Sequence, residues 1–298
     1  MTLRAPALTL RAYLFLTITA LSWGANAVAG KMAVGHISPM LLTSARWGLA
    51  LMILLTFTLP QLRRDRETIR ANLPLLMAYG MVGFAFFNIL LYSALEFTTA
   101  INVAIEQAGM PMVIFLANFL LFRIRARPAQ VAGFALTVAG VAITASGGSL
   151  ARLLALELNR GDALMLLAVF CYGGYTVALR YKPQLHWQSM ITVMAASAFL
   201  TSLPFSAFEI ARDSAIWPDA TGWTVAAFTA VFPSLVSQVM FIKGNELIGS
   251  NRAGIFINLV PIFGTILSVM ILGEVLEVYH VVALGLVLGG IWLAERRG

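Results

Sequence analysis

One cysteine, Cys171, stands in 298 residues, so no internal disulfide can form and no thiolate metal site can be assembled. Histidine is nearly as scarce: His36, His186 and His280 are widely separated and close to the ends of apolar runs, which argues against a metal cluster and leaves no deep imidazole base. Charged residues make up 11% of the chain, less than half of the about 25% usual in soluble domains. Acidic residues are the rarer sign, 13 against 20 Lys and Arg, for a net charge of +7. The bases fall in short segments between apolar runs, so the loop bias of a membrane protein explains them and nucleic acid is not indicated. No Gly-x-Ser-x-Gly, His-Glu-x-x-His, Asp-rich diphosphate motif or Gly-x-x-x-x-Gly-Lys loop is present, which argues against a membrane-embedded enzyme and excludes an ATP-driven pump within this chain. Lys31, Lys182 and Lys243 all sit near run ends, so a retinal-type receptor lacks its deep lysine. Neither a metal nor another cofactor is expected.

What the chain has instead is apolar length. It is 60% hydrophobic with a mean hydropathy of +0.86. A bilayer crossing needs about 20 apolar residues, and ten runs qualify, at about 12–33, 38–59, 73–95, 99–122, 128–147, 161–181, 187–208, 222–243, 252–273 and 278–295. The expected fold is an all-α integral membrane protein of ten transmembrane helices. Ala25-Asn26-Ala27 faintly mimics a signal-peptidase site, but the first run shares its pattern with the sixth, and cleavage would break that repeat. With the N-terminus inside, fifteen of the twenty bases, Arg125, Arg296 and Arg297 among them, fall on the inner side; four fall outside, and Arg46 lies within a span. That asymmetry predicts cytoplasmic N- and C-termini.

Shifting the chain by 149 or 150 residues exposes a repeat. Trp23-Gly24 through Lys31 falls on Tyr172-Gly173 through Arg180, Glu96 on Glu246, Pro111 on Pro261, and Gly140-Val141 on Gly290-Ile291. Five spans per unit is odd, so the second unit is inverted, an arrangement that places a transport site near the midplane between the halves. The expected division is a first five-helix repeat over 1–147, an extracytoplasmic linker over 148–160 and an inverted repeat over 161–298.

Trp23-Gly24, Pro39, Arg46, Gly161-Asp162, Ile257-Asn258-Leu259-Val260-Pro261, Leu272-Gly273-Glu274, Gly285, Gly289 and Gly290 together resemble the drug/metabolite transporter superfamily, in its EamA type of two five-helix repeats around a central cavity. Where that family often repeats Gly-Glu after the fourth span, this chain has Phe122-Arg123-Ile124, so no symmetric counterpart of Glu274 is expected. The resemblance implies export of small metabolites across a bacterial inner membrane by alternating access. Its bacterial amino-acid exporters are similar to this chain, which points to aromatic or other apolar amino acids; other metabolites or cationic drugs are the alternative. The expected partners are a small-molecule substrate and the lipid bilayer, with the protein a monomer or homodimer.

Candidate cavity residues are polar or aromatic groups within spans, which default to functional hypotheses. Glu106 and Arg46 each lie about 10 Å below an outer span end at 1.5 Å per residue and form a candidate charge pair, either structural or substrate-binding. Glu106 is also the best candidate proton carrier. Asn102, Glu106 and Gly109 share one helix face, and Gly109 would leave room for substrate. Asn26, Asn88, Ser234, Gln238 and Asn258 add polar groups, while Trp23, Tyr79, Tyr172 and Tyr175 suit a cavity wall or ordinary packing. Pro111, Pro233 and Pro261 are expected helix kinks, the first two freeing the carbonyls of Gln107 and Thr229 four residues back. Gly285-x-x-x-Gly289 permits close helix approach, either inside the bundle or between copies.

Overall fold

The structure, a computed structural model, describes residues 4–123, 127–155 and 159–295. Ile124, Arg125, Arg296 and Arg297 lie outside the described residues. Among those described, nine helices are long and apolar enough to cross a bilayer: α1 (Thr9–Ala33), α2 (Pro39–Arg64), α3 (Leu73–Ala94), α4 (Ala100–Phe122), α5 (Pro128–Ala145), α6 (Arg160–Tyr181), α7 (Trp187–Ala211), α8 (Ala220–Ile248) and α9 (Ile255–Leu272, continuing a helix that begins at Ser250). The tenth, α10 (Val278–Glu295), is shorter but equally apolar. Its 18 residues reach about 27 Å at 1.5 Å per residue, close to the hydrocarbon thickness of about 30 Å. Short helices Arg66–Ala71 and Leu150–Ala155 occupy two connections. With an even number of crossings the start of α1 and the end of α10 lie on one face, here termed the terminal face.

Polar side chains start these helices by accepting backbone N–H groups that have no helical partner. Thr99 accepts from Asn102 N–H at 3.1 Å, Asn159 from Gly161 N–H at 2.9 Å, and Asp219 from Gly222 N–H at 2.9 Å. The Gly222 amide, and after it His36 at 2.7 Å, hold the Asp219 carboxyl below its usual range. Two starts are capped from a distance. Glu209 in α7 accepts from Ser38 Oγ at 2.7 Å, Leu41 N–H at 3.2 Å and Met40 N–H at 3.3 Å at the head of α2. Glu274, just after α9, accepts from Ala100 N–H at 2.8 Å and Ile101 N–H at 2.9 Å at the head of α4. The carboxylate that looked unpaired in the repeat therefore clasps one half to the other. Glu274→Ala is expected to cost about 1–2 kcal/mol, the usual worth of a lost N-cap, read as a lower melting temperature in detergent with the helical content unchanged.

Helix pairing follows the repeat. α1 packs against α8 and α9 of the second half, and α6 against α3 and α4 of the first, while α2 meets α7 and α5 meets α10. Exchanged pairs of this kind, with two self-pairs, are what a twofold axis between inverted five-helix units produces. Glycines set the closest approaches. A Cβ on Gly140 would meet the Ala283 carbonyl at 2.7 Å, and one on Gly290 the Gly133 carbonyl at 2.5 Å. A Cβ on Gly285 or Gly289 would meet nothing within 4 Å among the described residues, which corrects the internal half of the Gly-x-x-x-Gly expectation: the contact runs through Gly290, on another face of α10.

Four of the helix irregularities are repeated as well, whereas a widened turn at Ser268–Leu272, the end of α9, has no counterpart in α4. α4 is interrupted between Gln107 and Met110, and α9 at Asn258, each just before its proline. A widened π-type turn occupies Gly80–Phe86 in α3 and Phe232–Val236 in α8. These breaks lie at one repeat spacing, and all four border the same interior space.

Candidate functional site

Pro233 has no N–H for the Thr229 carbonyl, and the Ser234 hydroxyl takes its place, donating to Thr229 O at 2.9 Å. With its proton so committed, Ser234 Oγ accepts from Arg46 Nε at 2.8 Å. Arg46 Nη1 is shared among Asn26 Oδ1 at 2.8 Å, Asn88 Oδ1 at 2.8 Å and the Tyr92 hydroxyl at 2.5 Å. Asn88 is itself aimed by donating to the Phe84 carbonyl at 2.5 Å within the widened turn of α3. One guanidinium from α2 thus ties together α1, α3 and α8 through neutral partners.

Around it lies a central cavity of about 390 Å³, within the size range of small-molecule sites. One wall is aromatic. Trp47 stacks on Phe84 with centroids 4.6 Å apart and planes 6° from parallel, and Tyr175 meets Phe84 edge-on at 6.0 Å. Tyr172 lies 5.3 Å from Tyr175 and 5.0 Å from Phe87. Gly83 makes this wall possible, because a Cβ there would run into the Tyr175 ring. The Arg46 guanidinium carbon sits 5.2 Å from the Trp47 centroid, within cation–π range.

Several expected residues meet at this cavity. Trp23, Asn26, Arg46, Asn88, Tyr172, Tyr175, Gln238 and Asn258 line it, as do the three prolines Pro111, Pro233 and Pro261. Trp23 donates to the Pro233 carbonyl at 3.3 Å, drawing α1 to the bend in α8. Ser234 is buried one bond behind Arg46. Tyr79 lies behind Tyr175, its hydroxyl donating to the Ala178 carbonyl at 2.6 Å.

The other expectations for α4 are not met. Arg46 and Glu106 do not pair: Arg46 has the partners just given, while both Glu106 oxygens are buried without a hydrogen bond among the described residues, at 0% exposure. Asn102, Glu106 and Gly109 do not line the cavity. Asn102 turns away from it, donating to Thr98 Oγ1 at 3.1 Å and Asp162 Oδ1 at 3.4 Å and meeting His280 Nε2 at 3.0 Å. A Cβ on Gly109 would meet Val141 of α5 at 3.2 Å. Depth along a helix is legible in sequence, but rotation about the helix axis is set by packing, and here it turns this face toward α5, α6 and α10. Gln107, on the other side of α4, reaches the cavity.

Sequence reasoning also missed Trp47, Gly83, Phe84, Phe87, Thr176 and Phe241 among the lining residues. The repeat held part of the signal, since Gly83-Phe84 falls on Pro233-Ser234 at the shift of 150. A second recess of about 620 Å³ opens on the face opposite the termini, lined by Lys31, Thr98, Asn102, Asp162 and neighbours. It shares no lining residue with the central cavity. Lys31 Nζ there donates to the Leu95 and Thr98 carbonyls, each at 2.7 Å. Between the two lies a packed apolar cluster that includes Ala33, Leu42, Leu91, Leu95, Ala100 and Met165. No three His, Cys, Asp or Glu side chains converge as a metal site among the described residues.

The EamA-like transporter family model matches residues 10–146 and again 159–295. The Bacillus subtilis (strain 168) protein named Uncharacterized transporter YetK is 24% identical, over 95% of this chain and 86% of its own length. Uncharacterized transporter YyaM of the same organism is 24% identical over 96% and 94%. A solved structure titled "Crystal structure of protein" aligns with a TM-score of 0.65 over 95% of this chain and 96% of that one, at 20% identity, a likeness of fold.

Proposed function

Because the chain belongs to the EamA-like transporter family, a family of multi-pass membrane transporters of small molecules, we propose that it exports amino acids with aromatic or other apolar side chains from the bacterial cytoplasm by alternating access. The observation that carries this reading is the cavity between the repeats, which joins an aromatic wall to a single guanidinium. Its lining runs from Trp23, Arg46 and Asn88 near mid-span to Leu179, Phe241 and Ile257 toward the terminal face, while the apolar cluster closes the opposite side. With the arginine-rich terminal face in the cytoplasm, this is a conformation ready to load cargo from inside. Rocking of one half on the other would expose the same residues outward. A flat apolar side chain fits between Trp47, Phe84 and Tyr175, and the side-chain amides of Gln107, Gln238 and Asn258 at the cavity wall offer polar contacts without charge.

Counterflow in liposomes tests the reading. Vesicles preloaded with one unlabelled amino acid at a time are expected to take up its labelled form saturably, with phenylalanine, tyrosine and leucine ahead of aspartate and lysine. Exchange of no amino acid would overturn the substrate assignment and turn the search to other metabolites.

A further inference from the structure

We propose that Arg46 Nη2 is the receiving group for a substrate carboxylate, so that the cavity takes small organic carboxylates bearing a flat apolar group and refuses compounds that carry only a positive charge. The inference rests on the transporter reading above and deepens it by assigning the part of the cargo that is recognised.

A guanidinium offers five N–H donors in a fixed fork. Nε is used by Ser234, and Nη1 by Asn26, Asn88 and Tyr92. Nη2 has no partner among the described residues. It is also absent from the fully enclosed polar atoms that lack a bond, which are Trp47 Nε1, both Glu106 oxygens, Ser189 Oγ and Thr265 Oγ1. Nη2 therefore keeps accessible surface, and the surface that Arg46 lines is the central cavity. The residue as a whole is 5% exposed, so the cavity is its outlet.

Charge gives the second argument. A buried cation is costly unless it is paired, yet no carboxylate forms an ion pair with Arg46 among the described residues, and no Asp or Glu lines the cavity. At the shift of 149 or 150 the second half has Ala195 and Ala196 in its place, so the positive charge has no counterpart in the other repeat. A substrate carboxylate would supply the missing anion and fill the free donor position. Arg–carboxylate geometry is well suited to this, since charge-assisted N–H···O bonds are about twice as strong as neutral ones. The partners already on Nε and Nη1 hold the plane of the guanidinium still. Trp47, beneath the guanidinium and stacked on Phe84, places the apolar surface next to the charge. An ammonium group finds no counter-charge in the same space, which sets aside the cationic-drug alternative.

Three ligands separate these claims: phenylalanine, 3-phenylpropionate, which lacks the ammonium, and phenethylamine, which lacks the carboxylate. Binding to purified protein in nanodiscs, followed by tryptophan fluorescence, is expected for the first two and to be at least tenfold weaker for the amine. Arg46→Gln is expected to abolish binding of both carboxylates. Arg46→Lys, which keeps a positive charge in less space, is expected to restore part of it and guards against a fold defect in Arg46→Gln, with melting curves recorded for both. Equal binding of the amine, or undiminished carboxylate binding in a folded Arg46→Gln, would overturn the proposal. So would the absence of binding by any carboxylate. Carboxylate binding to nanodiscs without counterflow in liposomes would instead uphold the anion site and count against the export reading.

Discussion

Ser234→Ala is expected to lower transport by about tenfold to a hundredfold while the protein remains folded. The hydroxyl links two features, the carbonyl of Thr229 left free by Pro233 and the Nε of Arg46. Removing it strands one acceptor and one charged donor in the same buried place. Hydrogen bonds to charged groups are worth about 1.5–3 kcal/mol, and each 1.4 kcal/mol is a factor of ten, which gives the expected range if the loss falls on the loaded state. The guanidinium would stay tethered through Nη1 but would be free to tilt, so ligand affinity should fall more than melting temperature. Ser234→Thr keeps the hydroxyl and should preserve most of the activity. Binding isotherms and melting curves on the same samples decide the matter. A large fall in melting temperature with unchanged affinity would make Ser234 a structural residue alone.

The second large effect concerns Gly24. A Cβ at that position would stand 2.8 Å from Gly264 N, 2.9 Å from the Val260 carbonyl and 3.1 Å from Phe263 Cβ. Two of these are backbone atoms of α9, which cannot turn aside as a side chain can. Overpacking costs about 1–3 kcal/mol in ordinary cores, and close approach of small residues is a main source of helix association in lipid. Gly24→Ala is expected to lower the melting temperature, and Gly24→Val to prevent recovery of monodisperse protein. Gly174→Val is the control, because a Cβ there meets nothing within 4 Å among the described residues. A Gly24→Val protein that melts like the parent would mean that α1 and α9 are not in contact.

Much of this architecture could be read in the amino-acid order. Apolar run length fixes the number of crossings, because a backbone in hydrocarbon must satisfy its own hydrogen bonds and a helix of about 20 residues is how it does so. The offset of 149 or 150 residues fixes the inverted repeat, since an odd number of spans per unit allows no other orientation. Pro111, Pro233 and Pro261 mark where α4, α8 and α9 break, because a missing N–H is a local fact; the Thr229 carbonyl freed by Pro233 is one such case, and its new donor sits one residue away. Pro60 and Pro204 lie within continuous helices, and the widened turn at Gly80–Phe86 holds no proline. Arg46 stood out for a related reason, the cost of a charge at that depth.

Neither azimuth nor partnership could be read this way. Arg46 and Glu106 share a depth, which made them a plausible pair in one dimension, yet α2 turns Arg46 toward Asn26, Asn88, Tyr92 and Ser234 while α4 turns Glu106 away from the cavity. Gln107, one residue on, is carried about 100° around the helix and reaches the cavity instead. Glu274 is similar: its Gly-Glu setting is visible in sequence, but its two backbone partners at Ala100 and Ile101 are 174 and 173 residues away. The sequence by itself determined the membrane class, the ten crossings, the repeat and the three breaks at Pro111, Pro233 and Pro261, because each follows from local chemistry or a fixed spacing. Only the tertiary structure decided which faces meet, and so which polar groups share the cavity and which are spent on capping, because helix rotation is settled by the packing of all ten helices together.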